Sequence, residues 1–118
     1  MTTPDLAQQL FALRQEFAAK LPAKLTALDV AVRAAIHDRT KLAAATTLAH
    51  RLRGSAGSFG QPTVGVAVGR IEELLEQAAA GSAGPGLEGD LLRLLEAAAS
   101  AISAAVAAGP MRPPEEPR

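Results

Sequence analysis

The sequence predicts an all-α protein: an antiparallel four-helix bundle with an additional N-terminal helix. The first observation behind this prediction is composition, because 48% of the 118 residues are apolar and only 3% are aromatic, so the core must be built from leucine, valine and alanine. The second is that these aliphatic residues recur every three or four positions, which is the period of a helix, and nowhere alternate as in a strand. The third is that short breaks separate the periodic segments, which favours antiparallel neighbours.

The first two helices are predicted on either side of Pro22. Residues 2–5, TTPD, have the features of a helix start: a hydroxyl cap, a proline in the first turn and an acidic residue near the positive end of the dipole. Pro22 has no backbone N–H, so it is expected to end or kink the first helix and to start the second. The apolar positions are Leu6, Leu10, Leu13 and Phe17 in the first helix, and Leu21, Leu25, Leu28, Val32 and Ile36 in the second.

Three more helices follow a polar break at residues 37–40. The third is predicted from about Lys41 to Phe59. Residues 60–63, GQPT, form a turn from which the fourth helix starts, because glycine suits a helix end and proline a helix beginning. Residues 81–86, GSAGPG, are a loop, and the fifth helix runs from Leu87 to about Ala108.

The predicted bundle therefore occupies residues 1–108. Residues 109–118 are rich in proline and charge and have little apolar surface to bury, so this tail is predicted to be disordered.

Composition also argues against several classes of function. The chain contains no cysteine, which excludes disulfides, thiolate metal sites and cysteine nucleophiles. Its formal net charge of zero gives no support for binding to nucleic acid or to an anionic membrane. No apolar run is long enough to span a bilayer, and the N-terminus lacks the pattern of a signal peptide. We therefore expect a cytoplasmic protein with no nucleic-acid and no membrane partner.

Residues 50–60, HRLRGSAGSFG, place glycines inside the third predicted helix, directly after a histidine and two arginines. At about 100° per residue, His50 falls opposite the apolar stripe and points outward. A glycine inside a helix costs about 0.5–1 kcal/mol relative to alanine. That cost is understandable if another surface approaches the helix backbone beside the histidine. The residues that share the face of His50 are Thr46, Arg53, Gly54 and Gly57.

This pattern resembles the histidine-containing phosphotransfer (HPt) domains of two-component signalling. Their signature is a histidine, a hydrophobic residue two positions on, a basic residue three positions on, then glycine, small residues and a glycine at the helix end. The GSAGSFG version is most similar to the N-terminal phosphotransfer domain of chemotaxis-type histidine kinases. The resemblance continues through residues 70–78, RIEELLEQA, and more loosely covers residues 5–107. The matching positions are His50, Leu52, Arg53, Gly54, Ser55, Ala56 and Gly60.

The resemblance implies that His50 accepts a phosphoryl group from a sensor kinase or a phosphorylated receiver domain and passes it to a receiver aspartate. Glu72 matches a family position that hydrogen-bonds the imidazole, and Glu73 is the fallback if the helix register is off by one. Arg53, where the family usually has lysine, would screen the phosphoryl charge. No cofactor or metal site is expected, because Mg²⁺ would come with the acidic pocket of the receiver. The partner would dock beside the histidine, on Thr46, Gly54 and Gly57.

The expected protein is a monomeric, stoichiometric phosphotransfer intermediate rather than an enzyme. Its glycine spacing, GxxGxxG, does not match a nucleotide-binding loop, so it is not expected to have an ATP site. The main alternative is a binding-only adaptor that docks on receiver or kinase domains without phosphotransfer. A second is that the sequence is the front domain of a chemotaxis-type kinase. A hydrolase or metalloenzyme is disfavoured, because no second histidine or carboxylate cluster stands at ligand spacing.

Overall fold

The structure is a computed structural model that describes residues 5–107. Those residues form four α-helices and no strand, which confirms the predicted all-α fold. The segment 109–118, predicted to be disordered, lies outside the described residues. In chain order the helices are α1 (Leu6–His37), α2 (Leu42–Ser58), α3 (Pro62–Ala79) and α4 (Leu87–Ala107), with a 3-10 turn at Arg39–Lys41.

The helices pack in a ring in which each one contacts its neighbours along the chain. The interface between α2 and α3 is the most extensive, and α1 closes the ring by packing against α4. Alanines form much of α2's inner face, which lets the adjacent helices approach closely. Phe17 belongs to the core and stacks on Phe59, which packs against the core, with ring centroids 5.2 Å apart. The largest fully buried side chains are Leu21, Leu28, Ile71, Leu75, Leu91, Val32, Val64 and Val68.

The helix boundary predicted at Pro22 is wrong, because α1 is a single helix of 32 residues that contains this proline. Phe17 and Leu21 on one side of Pro22 and Leu28 on the other are all buried in the same core. An interior proline costs about 3 kcal/mol, and burial of these side chains on one continuous stripe outweighs that cost. Pro22 itself is exposed, so its ring meets solvent rather than a neighbouring helix.

The predicted additional N-terminal helix is therefore the first part of α1 and projects beyond the bundle. Of its four predicted core positions, Phe17 is buried, but Leu6, Leu10 and Leu13 are exposed. Asp5 is the N-cap, and its carboxylate accepts a hydrogen bond of 2.8 Å from the backbone N–H of Gln8. The threonines and proline predicted to begin the helix, at residues 2–4, lie outside the described residues.

Candidate functional site

His50 lies near the middle of α2, on the face turned away from the core. The residue before it, Ala49, and the second residue after it, Leu52, are buried, and together they fix the rotation of the helix. The His50 side chain is consequently 76% exposed. The imidazole is thus held on a rigid element while its edge is open to solvent.

The imidazole contacts a buried carboxylate on α3. Nδ1 of His50 lies 2.6 Å from Oε2 of Glu72, whose side chain is only 4% exposed. Neighbours of Glu72 on α3, Ile71 and Leu75, are fully buried, so they hold that face of α3 against α2. Glu72 is the residue that the resemblance to HPt domains implied as the partner of the imidazole, and the two side chains lie within hydrogen-bond distance.

Arg53 contacts the same carboxylate from the next turn of α2. Its Nη1 donates a hydrogen bond of 2.9 Å to Oε1 of Glu72, so each carboxylate oxygen of Glu72 has one partner. The bond to Glu72 is the main cause that raises the pKa of Arg53 above its ordinary value. The guanidinium stays half-exposed, which leaves its outer N–H groups available next to the imidazole.

Glu72 remains ionised at neutral pH despite its burial. Burial raises the pKa of Glu72. The hydrogen bonds from Arg53 and His50, together with the charges of both groups, lower it by more than burial raises it, so the pKa lies below its ordinary value. An ionised carboxylate only accepts hydrogen bonds. The proton of the neutral imidazole therefore lies on Nδ1, and the lone pair of Nε2 faces outward.

A comparison with protein families identifies the family to which the chain belongs. The sequence matches the Hpt domain family over residues 12–105, most of the chain. This protein belongs to the Hpt domain family. Hpt domains carry a phosphoryl group on a histidine in two-component signalling, between kinases and receiver domains, and they are phosphocarriers rather than turnover enzymes. Searches of curated proteins and of solved structures returned no match.

The glycines beside His50 in this Hpt domain have open space in front of them. A Cβ atom built on Gly54 or Gly57 would meet no atom within 4 Å. Internal packing therefore does not require glycine at either position. Thr46, one turn before His50, is half-buried, and its hydroxyl donates a 2.8 Å hydrogen bond to the carbonyl of Leu42 in the same helix.

At two other positions of the Hpt domain, the structure explains why the residue is glycine. Gly60 follows α2 with a φ of +77°, and the N–H of Gln61 donates to the carbonyl of Ala56 at 2.8 Å, which is the hydrogen bond of a glycine-ended helix. Gly69, on α3, lies against the side chain of Arg53. The sequence pattern signalled Gly69 only as a glycine in a helix interior, three residues before Glu72.

Glu73, the fallback partner for His50, is exposed, and among the described contacts its charge acts on Arg53 rather than on the imidazole. Within residues 5–107, no group of three His, Asp or Glu side chains is arranged to hold a metal ion. In the same residues, no helix has the length and apolar character needed to cross a membrane.

Proposed function

We propose that this Hpt domain accepts a phosphoryl group on Nε2 of His50 from a sensor kinase or a phosphorylated receiver and passes it to a receiver aspartate. The observation that carries the proposal is the exposed imidazole whose Nδ1 contacts a buried, ionised Glu72 at 2.6 Å. This contact directs the lone pair of Nε2 outward, which is the orientation a nucleophile needs. The receivers and kinases that exchange phosphoryl groups with this domain will identify its partners and the direction in which the phosphoryl group moves.

The transfer is a displacement at phosphorus. With a phosphorylated receiver as the donor, the lone pair of Nε2 forms the N–P bond as the bond between phosphorus and the aspartate oxygen breaks, and the aspartate leaves as a carboxylate. The ring then carries positive charge while its Nδ1–H remains hydrogen-bonded to Glu72, which stabilises that charge. Return transfer to an aspartate reverses these steps.

The other members of the site act on charge and access. Arg53 would screen the three phosphoryl oxygens with the guanidinium edge that it does not use on Glu72. Mg²⁺ would come with the acidic pocket of the receiver, and this domain would contribute neither a cofactor nor an ATP site. We propose that the domain acts as a cytoplasmic monomer.

The docking surface is proposed on the exposed face of α2 around Thr46, Gly54 and Gly57, extended by the second half of α1. Together the two glycines cost α2 on the order of 1–2 kcal/mol relative to alanine. Because a Cβ at either position would meet nothing within the domain, that cost is explained by a partner that approaches the helix backbone. The same reasoning favours close contact with a folded domain over access by a small molecule alone.

The proposal is tested by phosphotransfer profiling. Purified protein is mixed with radiolabelled phospho-receivers and autophosphorylated kinases of its host. We expect an acid-labile, base-stable label that is lost in His50→Gln. The matched control is His37→Gln, since His37 is the other histidine of the chain and is exposed at the end of α1; this variant should label like the wild type.

Two outcomes would overturn the proposal. One is the absence of label with every kinase and receiver, and the other is a label that persists in His50→Gln. If receivers bind the wild type and His50→Gln equally and neither becomes labelled, the protein is a binding-only adaptor.

A further inference from the structure

Gly69 lies directly under the side chain of Arg53. It is a buried residue of α3, three positions before Glu72, and therefore on the same face of that helix. A Cβ built on Gly69 would lie 3.1 Å from Nε, 3.3 Å from Cδ and 3.5 Å from Cζ of Arg53. The first two distances are shorter than ordinary van der Waals contacts, so a methyl group at this position would push against the arginine side chain.

The Arg53 side chain would have to move by a few tenths of an ångström to accommodate that methyl group. Its Nη1 donates to Oε1 of Glu72 at 2.9 Å, while Cδ, Nε and Cζ of the same side chain occupy the space next to Gly69. A movement away from α3 is open, since the guanidinium is half-exposed, but it would lengthen the hydrogen bond to Glu72.

We propose that Gly69 is a positioning residue: its missing side chain lets Arg53 lie against α3 and hold Glu72, the carboxylate that orients His50. The pairing of Arg53 with a helical glycine three residues before the carboxylate is then a functional unit of this chain. The effect on phosphotransfer rests on the proposed function, but the effect on the geometry of Arg53 and Glu72 does not.

Gly65 provides a matched control on the same helix. It lies one turn before Gly69, and a Cβ there would meet Ala56 Cβ and Arg53 O at 3.7 Å and Gly57 N at 3.8 Å, all ordinary contacts. The only Arg53 atom among them is its backbone oxygen, so none belongs to the Arg53 side chain. Gly65→Ala therefore reproduces the gain in helix propensity of Gly69→Ala without the contact that the proposal depends on.

The first experiment is a carboxylate-detected NMR titration of the full chain, which needs no phosphorylation. In Gly69→Ala we expect the pKa of Glu72 to rise relative to the wild type, because the Arg53 hydrogen bond is weakened. Gly65→Ala should leave it unchanged. Arg53→Ala should also raise it, and adding Gly69→Ala to Arg53→Ala should cause no further change. Equal values in the wild type and Gly69→Ala would overturn the proposal.

Folding and phosphotransfer supply the remaining readouts. If Gly69→Ala fails to fold, the double variant with Arg53→Ala decides: recovery of folding identifies Arg53 as the obstacle, and continued failure overturns the proposal. In a folded Gly69→Ala protein, the rate of phosphotransfer should fall about tenfold, the equivalent of one weakened charge-assisted hydrogen bond. Should the wild type accept no phosphoryl group at all, the proposed function fails, while the titration still decides the role of Gly69.

Discussion

At the scale of single residues, the site is organised around one buried charge. Moving an isolated carboxylate out of water is costly, and such a group is normally found only with partners. Glu72 has two, one on each oxygen, and both come from α2. The two contacts keep the carboxylate ionised, and the ionised carboxylate in turn fixes which imidazole nitrogen is protonated. The tautomer of His50 is therefore a consequence of where Glu72 lies.

Glu72→Gln tests this dependence. Arg53 only donates hydrogen bonds, so the amide oxygen of glutamine is expected to face Arg53, as Oε1 of Glu72 does. The NH₂ group then faces Nδ1, which must accept, and the imidazole proton moves to Nε2. We expect the ¹⁵N shifts of the His50 ring to report this change of tautomer. Phosphorylation should slow by about 10- to 100-fold, the size of effect seen when the hydrogen-bond partner of a metal-ligating histidine is removed.

The control for Glu72→Gln is Glu73→Gln, which removes the same charge from the neighbouring, exposed position. It should keep the tautomer of His50 and its rate of phosphorylation. An unchanged tautomer in Glu72→Gln, or an equal loss of rate in Glu73→Gln, would show that the carboxylate contributes only general charge to the site.

The contact between His50 and Glu72 was expected from the resemblance to HPt domains, in which the position that matches Glu72 carries the hydrogen-bond acceptor. Burial of Ala49 and Leu52 fixes which way His50 points, and the fully buried Ile71 does the same for Glu72. The contribution of Gly69 could not be predicted in this way. It depends on the separation of α2 and α3 and on the conformation of a long arginine side chain, neither of which the helical period encodes. The roles of these residues in phosphotransfer remain predictions.

At the scale of elements, the turn after α2 sets the register between α2 and α3, and so the meeting of His50 with Glu72. Gly60 adopts a φ of +77° there, a conformation that costs a residue with a Cβ about 1–2 kcal/mol. Gly60→Ala should therefore lower the free energy of unfolding by about that amount, measured by denaturant titration.

The same titration on Gly54→Ala should give a change of opposite sign. Gly54 is an exposed glycine inside α2 whose Cβ would meet nothing, so alanine should stabilise the protein by about 0.5–1 kcal/mol. Destabilisation by Gly54→Ala would mean that internal packing requires this glycine, and the argument for a docking partner would lose its support.

Helix ends with a chemical signal were predictable, and the continuity of α1 was not. Gly60 and Pro62 mark the turn between α2 and α3, and residues 81–86 mark the loop between α3 and α4. The structure has both connections at these positions. Pro22 is a signal of the same kind, but the helix continues through it. The local sequence predicts the free-energy cost of a proline inside a helix. The stabilisation that offsets this cost comes from burying the apolar side chains on both sides of Pro22, which happens only in the assembled bundle.

At the scale of the whole molecule, the protein is longer than a compact domain of its size. Its Cα radius of gyration is 16.7 Å and its longest extent 58 Å, whereas about 13 Å is typical for the radius of gyration of 100 residues. The 32 residues of α1 span about 48 Å at 1.5 Å per residue, while α2 has only 17 residues. The start of α1 therefore extends past the helices that it packs against.

This overhang leads to a prediction about the folding unit. A variant restricted to residues 12–107 lacks Leu6 and Leu10, which are 71% and 39% exposed. It should unfold within about 4 °C of the full chain, the shift expected for less than about 1 kcal/mol, as measured by circular dichroism. Its labelling on His50 should be unchanged, because the site is built by α2 and α3.

A shorter variant, residues 22–107, provides the contrast. It also removes Phe17 and Leu21, which are buried in the core, and each such side chain contributes about 1.5–3 kcal/mol. The combined loss is a large share of the roughly 5–15 kcal/mol that stabilises a typical domain, so this variant should be largely unfolded at 37 °C. If the 12–107 variant were already unfolded, the prediction would be wrong, and Leu6 and Leu10 would have to make stabilising contacts in solution. If residues 22–107 remained as stable as the full chain, α1 would not be the element that closes the bundle.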